Sequence, residues 1–343
     1  MKSENIIGTA ARICCGIILM GGIFAGCSSS KNAAEADQLV WPSPPETPRI
    51  KFVRILSDRN SVEGSGPSWL ETLAGEAAKD RLNKPYGVAV GRRGKVYVTD
   101  TSDKRVFVFD TENLKLSFIG TASTGTLSLP LGVAADSTGL VYVTDGDLKT
   151  VMVFNEQGGL VRTIGSSKEL QNPAGVAVDP GRHRVYVVDS QLHEVKAYAI
   201  DGTILFTFGK RGNGDGEFNY PTNIAVGKDG NVYVVETINA RVQVFDPAGK
   251  FLWKFGSLGD SFGQFTRPKG IAIDSQGNIY VVDAAFNNFQ VFDPKGNLLL
   301  FVGTLGKQPG MFWLPAGASS DGKDQIYVVD QMNQRVQVFQ LLK

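Results

Sequence analysis

Residues that commonly build catalytic or metal centres are scarce in this sequence. Its 343 residues include three cysteines, at positions 14, 15 and 27, and two histidines, His183 and His193. After Cys27 no thiol remains for a disulfide, a metal site or a nucleophile, and neither histidine has a second His or Cys at zinc-ligand spacing. No Ser-His-Asp set, paired carboxylate site or phosphate-binding loop stands out. We therefore assign no catalytic residue, no metal site and no cofactor.

An excess of charge of either sign is also missing. Lys and Arg total 35 and Asp and Glu total 34, which gives a formal net charge of +1. A chain this close to neutral has no overall field that would attract nucleic acid or an anionic membrane surface. We therefore expect no nucleic-acid partner.

The N-terminal residues 1–26 are predicted to be a lipoprotein signal peptide. The apolar stretch from Ile13 to Phe24 is too short to span a bilayer comfortably but suits the core of a signal peptide. It ends in Phe24-Ala25-Gly26-Cys27, which resembles the bacterial lipobox, although Phe24 stands where that motif usually has leucine. The alternative is an ordinary signal peptide followed by a chance cysteine.

The resemblance to the lipobox implies that Cys27 carries a lipid and is the first residue of the mature chain. Small and polar residues without periodicity follow it. We expect residues 27–47 to form a lipidated tether. The protein would then lie outside the cytoplasm, anchored to a bacterial membrane and facing the periplasm or the cell surface.

Six repeats fill the rest of the chain. A proline followed by a strand of the Gly-Val-Ala-Val type recurs every 43 to 48 residues. Next come a β-rich stretch that ends in an acidic residue, a third strand such as Arg241–Phe245 and a fourth such as Phe251–Phe255. Four short strands in a unit of this length are typical of a propeller blade. The repeat prolines are Pro85, Pro130, Pro173, Pro221, Pro268 and Pro315.

This repeat resembles the NHL family. The resemblance is carried by the motifs Pro-x-Gly-Val-Ala-Val, Val-Tyr-Val-x-Asp and Arg-Val-x-Val-Phe-Asp and by the connector Gly-x3-Gly-x-Phe-x2-Pro, from about residue 82 to the C terminus. It implies an all-β, six-bladed β-propeller of four-stranded antiparallel blades over residues 48–343. NHL propellers generally present their faces to proteins or other polymers, so the resemblance also implies a binding module, which we expect to be monomeric.

The sixth blade lacks a strand, because the chain ends shortly after its third. A β-rich segment upstream of the repeats, Pro48 to Leu56, can supply the fourth strand and so remove an open sheet edge. We therefore predict that the propeller is closed by an N-terminal strand in the last blade. Between this strand and blade one, Pro67 to Leu73 is predicted to form a short helix.

An acidic residue at the same position of every repeat favours a structural role over a catalytic one. Three of these acids are followed five residues later by an arginine, which indicates an ion pair that ties one strand to the next. The pairs are Asp100 with Arg105, Glu236 with Arg241, and Asp330 with Arg335.

Side chains beside the repeat prolines should surround one mouth of the central channel. Aromatic and basic residues gathered on a surface suit partner binding better than catalysis, although ordinary packing at the blade edge is an equal alternative. The candidate partner-binding residues are Lys84, Tyr86, Tyr220, Arg267, Lys269 and Trp313. Two departures from the repeat are further clues. Asn223 replaces a glycine, for which simple substitution is the alternative, and Ala318-Ser319-Ser320 replaces Val-Ala-Val in blade six, where it either faces the channel or reflects a looser closing blade.

These observations favour a membrane-tethered binding or scaffold propeller that interacts with a protein or a glycan. The alternative is a metal-dependent enzyme of the lactonase or lyase type. Such an enzyme would need ligands on several innermost strands, whereas five of these strands read as Val-Ala-Val or a close apolar variant. Catalysis is therefore the less favoured of the two.

Overall fold

The computed structural model describes residues 39–64, 80–122 and 125–342. Cys27, most of the predicted tether and the helix predicted at Pro67 to Leu73 lie outside these residues. The strands and the short helices are β1 Val40–Trp41, β2 Ile50–Leu56, α1 Asn60–Glu63, β3 Pro85–Val90, β4 Lys95–Asp100, β5 Arg105–Asp110, β6 Lys115–Ile119, β7 Pro130–Ala135, β8 Val141–Asp145, β9 Thr150–Phe154, β10 Leu160–Ile164, β11 Pro173–Asp179, β12 Arg184–Asp189, β13 Glu194–Ala199, β14 Ile204–Phe208, β15 Pro221–Val226, β16 Val232–Glu236, β17 Arg241–Phe245, β18 Phe251–Phe255, β19 Pro268–Ile273, β20 Ile279–Asp283, β21 Asn288–Phe292, β22 Leu298–Val302, β23 Pro315–Ser320, β24 Gln325–Asp330, a 3-10 turn Gln331–Asn333 and β25 Arg335–Leu341.

Six antiparallel sheets form the six blades, as predicted. Blades one to five each contain four consecutive strands, from β3–β6 to β19–β22, with the repeat proline at the start of the innermost strand. Apolar clusters lie between neighbouring blades; one of them joins Tyr186 of blade three to Ile224 and Phe245 of blade four. Each blade is thus covered on both faces, which explains the nearly continuous apolar strands.

Blade six has five strands, one more than predicted. Its sheet order is β1-β2-β25-β24-β23, so the N-terminal strand β2 closes the ring as expected. Val40 and Trp41, which the sequence assigns to the tether, add the outermost strand by pairing with Lys51 and Ile50. Trp41 packs edge-on against Phe339 with 5.8 Å between ring centroids.

The repeated acid holds the end of its blade together, as its structural interpretation predicts. Asp100 is fully buried and accepts hydrogen bonds from the backbone N–H groups of Asn83, Lys84, Ser102 and Asp103. It therefore joins the residues before the innermost strand to the turn after the second strand. The acids of blades two, three and five are bonded in the same way.

The predicted acid–arginine pair is present in blades four and six. Arg241 Nε donates to Glu236 at 2.6 Å, and Arg335 Nε donates to Asp330 at 2.7 Å, with both carboxylates fully buried. In blade one, Arg105 forms an ion pair with Asp103 and lies 4.0 Å from the centre of the Phe118 ring.

Glycine lets the innermost strands of five blades approach their neighbours at the channel. A Cβ on Gly270 would lie 2.3 Å from the carbonyl oxygen of Ala316, and one on Gly317 would lie 2.7 Å from that of Tyr86. A side chain at either position would push neighbouring blades apart. No helix within the described residues is long and apolar enough to cross a membrane.

The role of β1 and β2 can be tested with three shortened chains. A chain starting at Leu39 should melt like the full chain, because it keeps both strands. Starting at Pro48 removes Trp41 from its contact with Phe339 and should cost about 2 kcal/mol of unfolding free energy. Starting at Asp58 also bares the edge of β25 and should cost several times more, on the order of 5 kcal/mol or above. Equal denaturant midpoints for the three chains would contradict the closure.

Candidate functional site: the mouth face

One end of the propeller carries the repeat prolines, the connectors between blades and the turns that join the second strand of each blade to the third. We call this end the mouth face. The antiparallel order of the strands places all three features there, since each innermost strand starts at this end and each second strand finishes at it. The six buried acids hold the backbone in place beneath it.

Four of the six candidate binding residues come together on this face, at blades one and five. Lys269 Nζ lies 5.6 Å from the centre of the Tyr86 ring, a distance that allows a cation–π contact. Arg267 and Lys84 are exposed and close enough to Lys269 to influence its protonation. We call Lys84, Tyr86, Arg267 and Lys269 the cation cluster.

Burial and like charge act together on Lys269. Its half-buried position, followed by repulsion from Arg267 and Lys84, lowers the pKa of its amine to about 8. Burial raises the pKa of the Tyr86 phenol, and the positive charge of Arg267 partly opposes that shift. In the described part of the chain no carboxylate forms an ion pair with Lys84, Arg267 or Lys269. An anion would relieve the repulsion among these cations.

Tyr220 and Trp313 lie on the mouth face but have other neighbours. Tyr220 packs edge-on against His193, and its backbone N–H donates to His193 Nδ1 at 3.1 Å. Burial, followed by the charge of Arg211, lowers the pKa of His193, which suits an acceptor nitrogen. Trp313 lies under Lys307 Nζ, 6.0 Å from the ring centre. Both aromatic rings remain partly exposed and available to a partner.

The side chains that line the channel behind the mouth are mostly apolar. The channel encloses about 270 Å³ and is lined by all six innermost strands. Asn223, Ser319 and Ser320 contribute its polar side chains, at the positions where the sequence departs from the repeat. The described residues contain no group of three His, Cys, Asp or Glu side chains able to hold a metal ion.

Exposed apolar side chains surround the mouth, and sequence reasoning missed them. Phe262 is 76% exposed, Leu258 69% and Leu305 65%, although all three are large hydrophobic residues. The sequence feature that could have revealed them is the presence of apolar residues inside Gly-rich connectors, where polar residues are usual. Others on the same face are Leu148, Leu192, Ile238, Met311 and Met332.

Two family models match parts of the sequence. The model of the NHL repeat matches residues 82–109, which span the start of blade one. A model described as 6-bladed beta-propeller matches residues 228–297, across blades four and five. The chain is a six-bladed β-propeller with a match to the NHL repeat in its first blade. No curated protein matches the sequence.

Solved structures share the architecture of this propeller at low sequence identity. A protein of unknown function from Bacteroides thetaiotaomicron VPI-5482 is 16% identical, with a TM-score of 0.63 over 86% of this chain and 76% of its own. A gluconolactonase from Xanthomonas campestris is 15% identical, with a TM-score of 0.59 over 76% and 87%. A streptogramin B lyase is 14% identical, with a TM-score of 0.56 over 76% and 94%. Identities this low show a common fold and no more.

The electrostatics of the cation cluster can be measured directly. An NMR titration of the Lys269 side chain should give a pKa of about 8. Lys84→Met and Arg267→Met should each raise that value, because removing a neighbouring positive charge favours the protonated amine. Lys295→Met, in an exposed turn at the opposite end of blade five, is the control and should leave it unchanged. A normal lysine pKa in the unaltered protein would contradict the cluster.

Proposed function

We propose that this propeller is a binding module, tethered to a bacterial membrane outside the cytoplasm, that holds an acidic partner on its mouth face. The observation that carries the proposal is the cation cluster, three positive charges around Tyr86 without a carboxylate counter-ion in the described residues. Exposed apolar and aromatic side chains lie on the same face as the cluster. Aromatic, Met and Arg side chains are enriched in protein interfaces, and opposite charges speed association and fix its register.

The alternative, a metal-dependent enzyme of the lactonase or lyase type, has weaker support. A gluconolactonase and a streptogramin B lyase share the fold, but a fold of this kind hosts many functions. The side chains lining the channel here are mostly Val, Ala and Ile, which offer a metal no ligand. Binding therefore explains more of the site than catalysis does.

Charge reversal on the mouth face tests the binding function. Arg267→Glu with Lys269→Glu should reduce capture of membrane proteins or glycans by the tagged protein at least tenfold, because the cluster would then repel an acidic partner. The melting temperature should change little, since both side chains are at the surface or close to it. The readout is the amount of each captured component compared with the unaltered protein.

The matched control carries the same change of charge at the other end of the molecule, as Lys250→Glu with Lys295→Glu in exposed turns. It should capture normally. Equal loss in both double variants would mean that net charge alone is responsible and would remove the mouth face from the proposal. Chelator-sensitive hydrolysis of lactones by the purified protein would favour the enzyme instead.

The membrane tether is tested separately at Cys27. In cells given a labelled fatty acid, the unaltered protein should take up label and Cys27→Ser should not, because the lipid forms on the cysteine sulfur and the new N terminus. The variant should also leave the membrane fraction or keep its signal peptide. Equal labelling of both proteins would show that the lipobox resemblance is accidental.

A further inference from the structure

Blades four, five and six share one connector design. In each, a glutamine of the third strand donates its side-chain amide to a connector carbonyl and accepts from a connector glycine N–H. The three glutamines are Gln243, Gln290 and Gln337, with donor–acceptor distances of 2.6–3.0 Å. The connectors therefore present their backbone carbonyls in the same way.

In blades four and six an arginine fills the space beside the connector. The Arg241 guanidinium donates to the carbonyl oxygens of Asn213, Gly214 and Glu217 at 2.8–2.9 Å. Arg335 does the same with Gln308 and Met311, at 2.9 Å. The connector carbonyls thus form a socket whose geometry suits a guanidinium group.

Blade five has the socket without the arginine. Asn288 pairs with Asp283 in the register that Arg241 and Arg335 have with their acids, but its side chain is shorter. A groove of about 210 Å³ takes the place of the missing guanidinium, and Asp260 and Ser261 of the connector line it. These two residues correspond to Asn213 and Gly214, whose carbonyl oxygens bind Arg241 in blade four.

The walls of this groove are suited to a cation. Phe262 and Phe301 stack at 5.3 Å between ring centroids with 21° between their planes, and Phe286 lines the groove with them. Asn288 Oδ1 is buried in the groove wall and accepts no hydrogen bond from the described protein. Aromatic faces attract a planar guanidinium, and a buried acceptor without a donor is costly until a ligand supplies one.

We infer that the groove of blade five is a binding site for a guanidinium group, namely an arginine side chain presented by a partner protein. The bound arginine would occupy the place of Arg241 and Arg335, held by the connector carbonyls, Asn288 and the stacked phenylalanines. Arginine fits better than lysine because its planar fork reaches several acceptors at once. The inference does not depend on the cation cluster, which takes the opposite charge.

The probe for this site is blocked arginine, Nα-acetyl-arginine N-methylamide, titrated into the full-length protein and followed by NMR at Phe262 and Asn288. Saturable binding is expected, at least tenfold tighter than binding of the lysine and citrulline analogues. Free arginine is titrated as well, because a site for an arginine side chain in a protein should not bind the free amino acid more tightly than the blocked one. Equal binding of the citrulline analogue, or tighter binding of free arginine, would overturn the inference.

Two variants, Asn288→Arg and Phe262→Ala, locate the binding, and each has its own control. Asn288→Arg should abolish it by filling the socket from within, and should raise the melting temperature by about 2 °C or more through the restored hydrogen bonds. Gln276→Arg adds the same charge in an exposed turn at the opposite face and should do neither. Unchanged binding in Asn288→Arg would refute the site.

The second variant changes only the exposed wall. Phe262→Ala should weaken binding at least tenfold with an unchanged melting temperature, because the side chain is largely exposed and contributes little to the core. Leu258→Ala, similarly exposed on the same connector but outside the groove, should bind normally. Equal affinities of the two variants would also refute the site. Charge reversal at Arg267 and Lys269 should leave the affinity for blocked arginine within about twofold, which separates this site from the cation cluster.

Discussion

A buried carboxylate at the mouth end of each second strand is the interaction on which the mouth face depends. Asp145, for example, accepts backbone N–H groups from Ser128 and Leu129 before the innermost strand and from Asp147 and Leu148 in the following turn. Without it, these N–H groups at the ends of strands would lack a hydrogen-bond acceptor, and one carboxylate can accept several hydrogen bonds at once. In blades one, two, three and five, one side chain thus fixes the backbone of both the connector and the turn. In blades four and six the acid binds one connector N–H and reaches the turn through the side chain of Asn239 or Asn333.

Because the carboxylate bonds to backbone groups, it leaves the neighbouring side chains free to vary. The residues on either side of the repeat proline are Lys84 and Tyr86 in blade one but Leu129 and Leu131 in blade two. Their backbones are held in the same way in both blades. This separation of framework from surface allows a repeat to carry the cation cluster on one side of the mouth without altering the blade beneath it.

Most of the fold was predictable because the repeat supplies six independent copies of the same evidence. The closing strand Ile50–Leu56 followed from a blade one strand short, whereas Val40–Trp41 was missed because two residues carry no period. The cluster of Lys84, Tyr86, Arg267 and Lys269 was predictable from their repeat positions. The apolar loops that lie together at the mouth were not predictable, because their grouping depends on which end of its blade each turn occupies. The open groove of blade five was missed too. It is visible only when the surroundings of Asn288 are compared with those of Arg241 and Arg335 in the structure.

The direction of β1 links the proposed anchor to the mouth face. β2 runs toward the mouth, ending where Leu56 pairs with Val336, and β1 is antiparallel to it, so the N-terminal end of β1 points toward the mouth face. Leu39 is the twelfth residue after Cys27, and an extended chain of that length reaches at most about 40 Å. A lipid on Cys27 would therefore hold the propeller within about 40 Å of the bilayer. If the anchor is present, a partner that is itself held at the membrane would meet the propeller at a raised effective concentration, and a modest cluster of three cations would need to contribute less to the affinity.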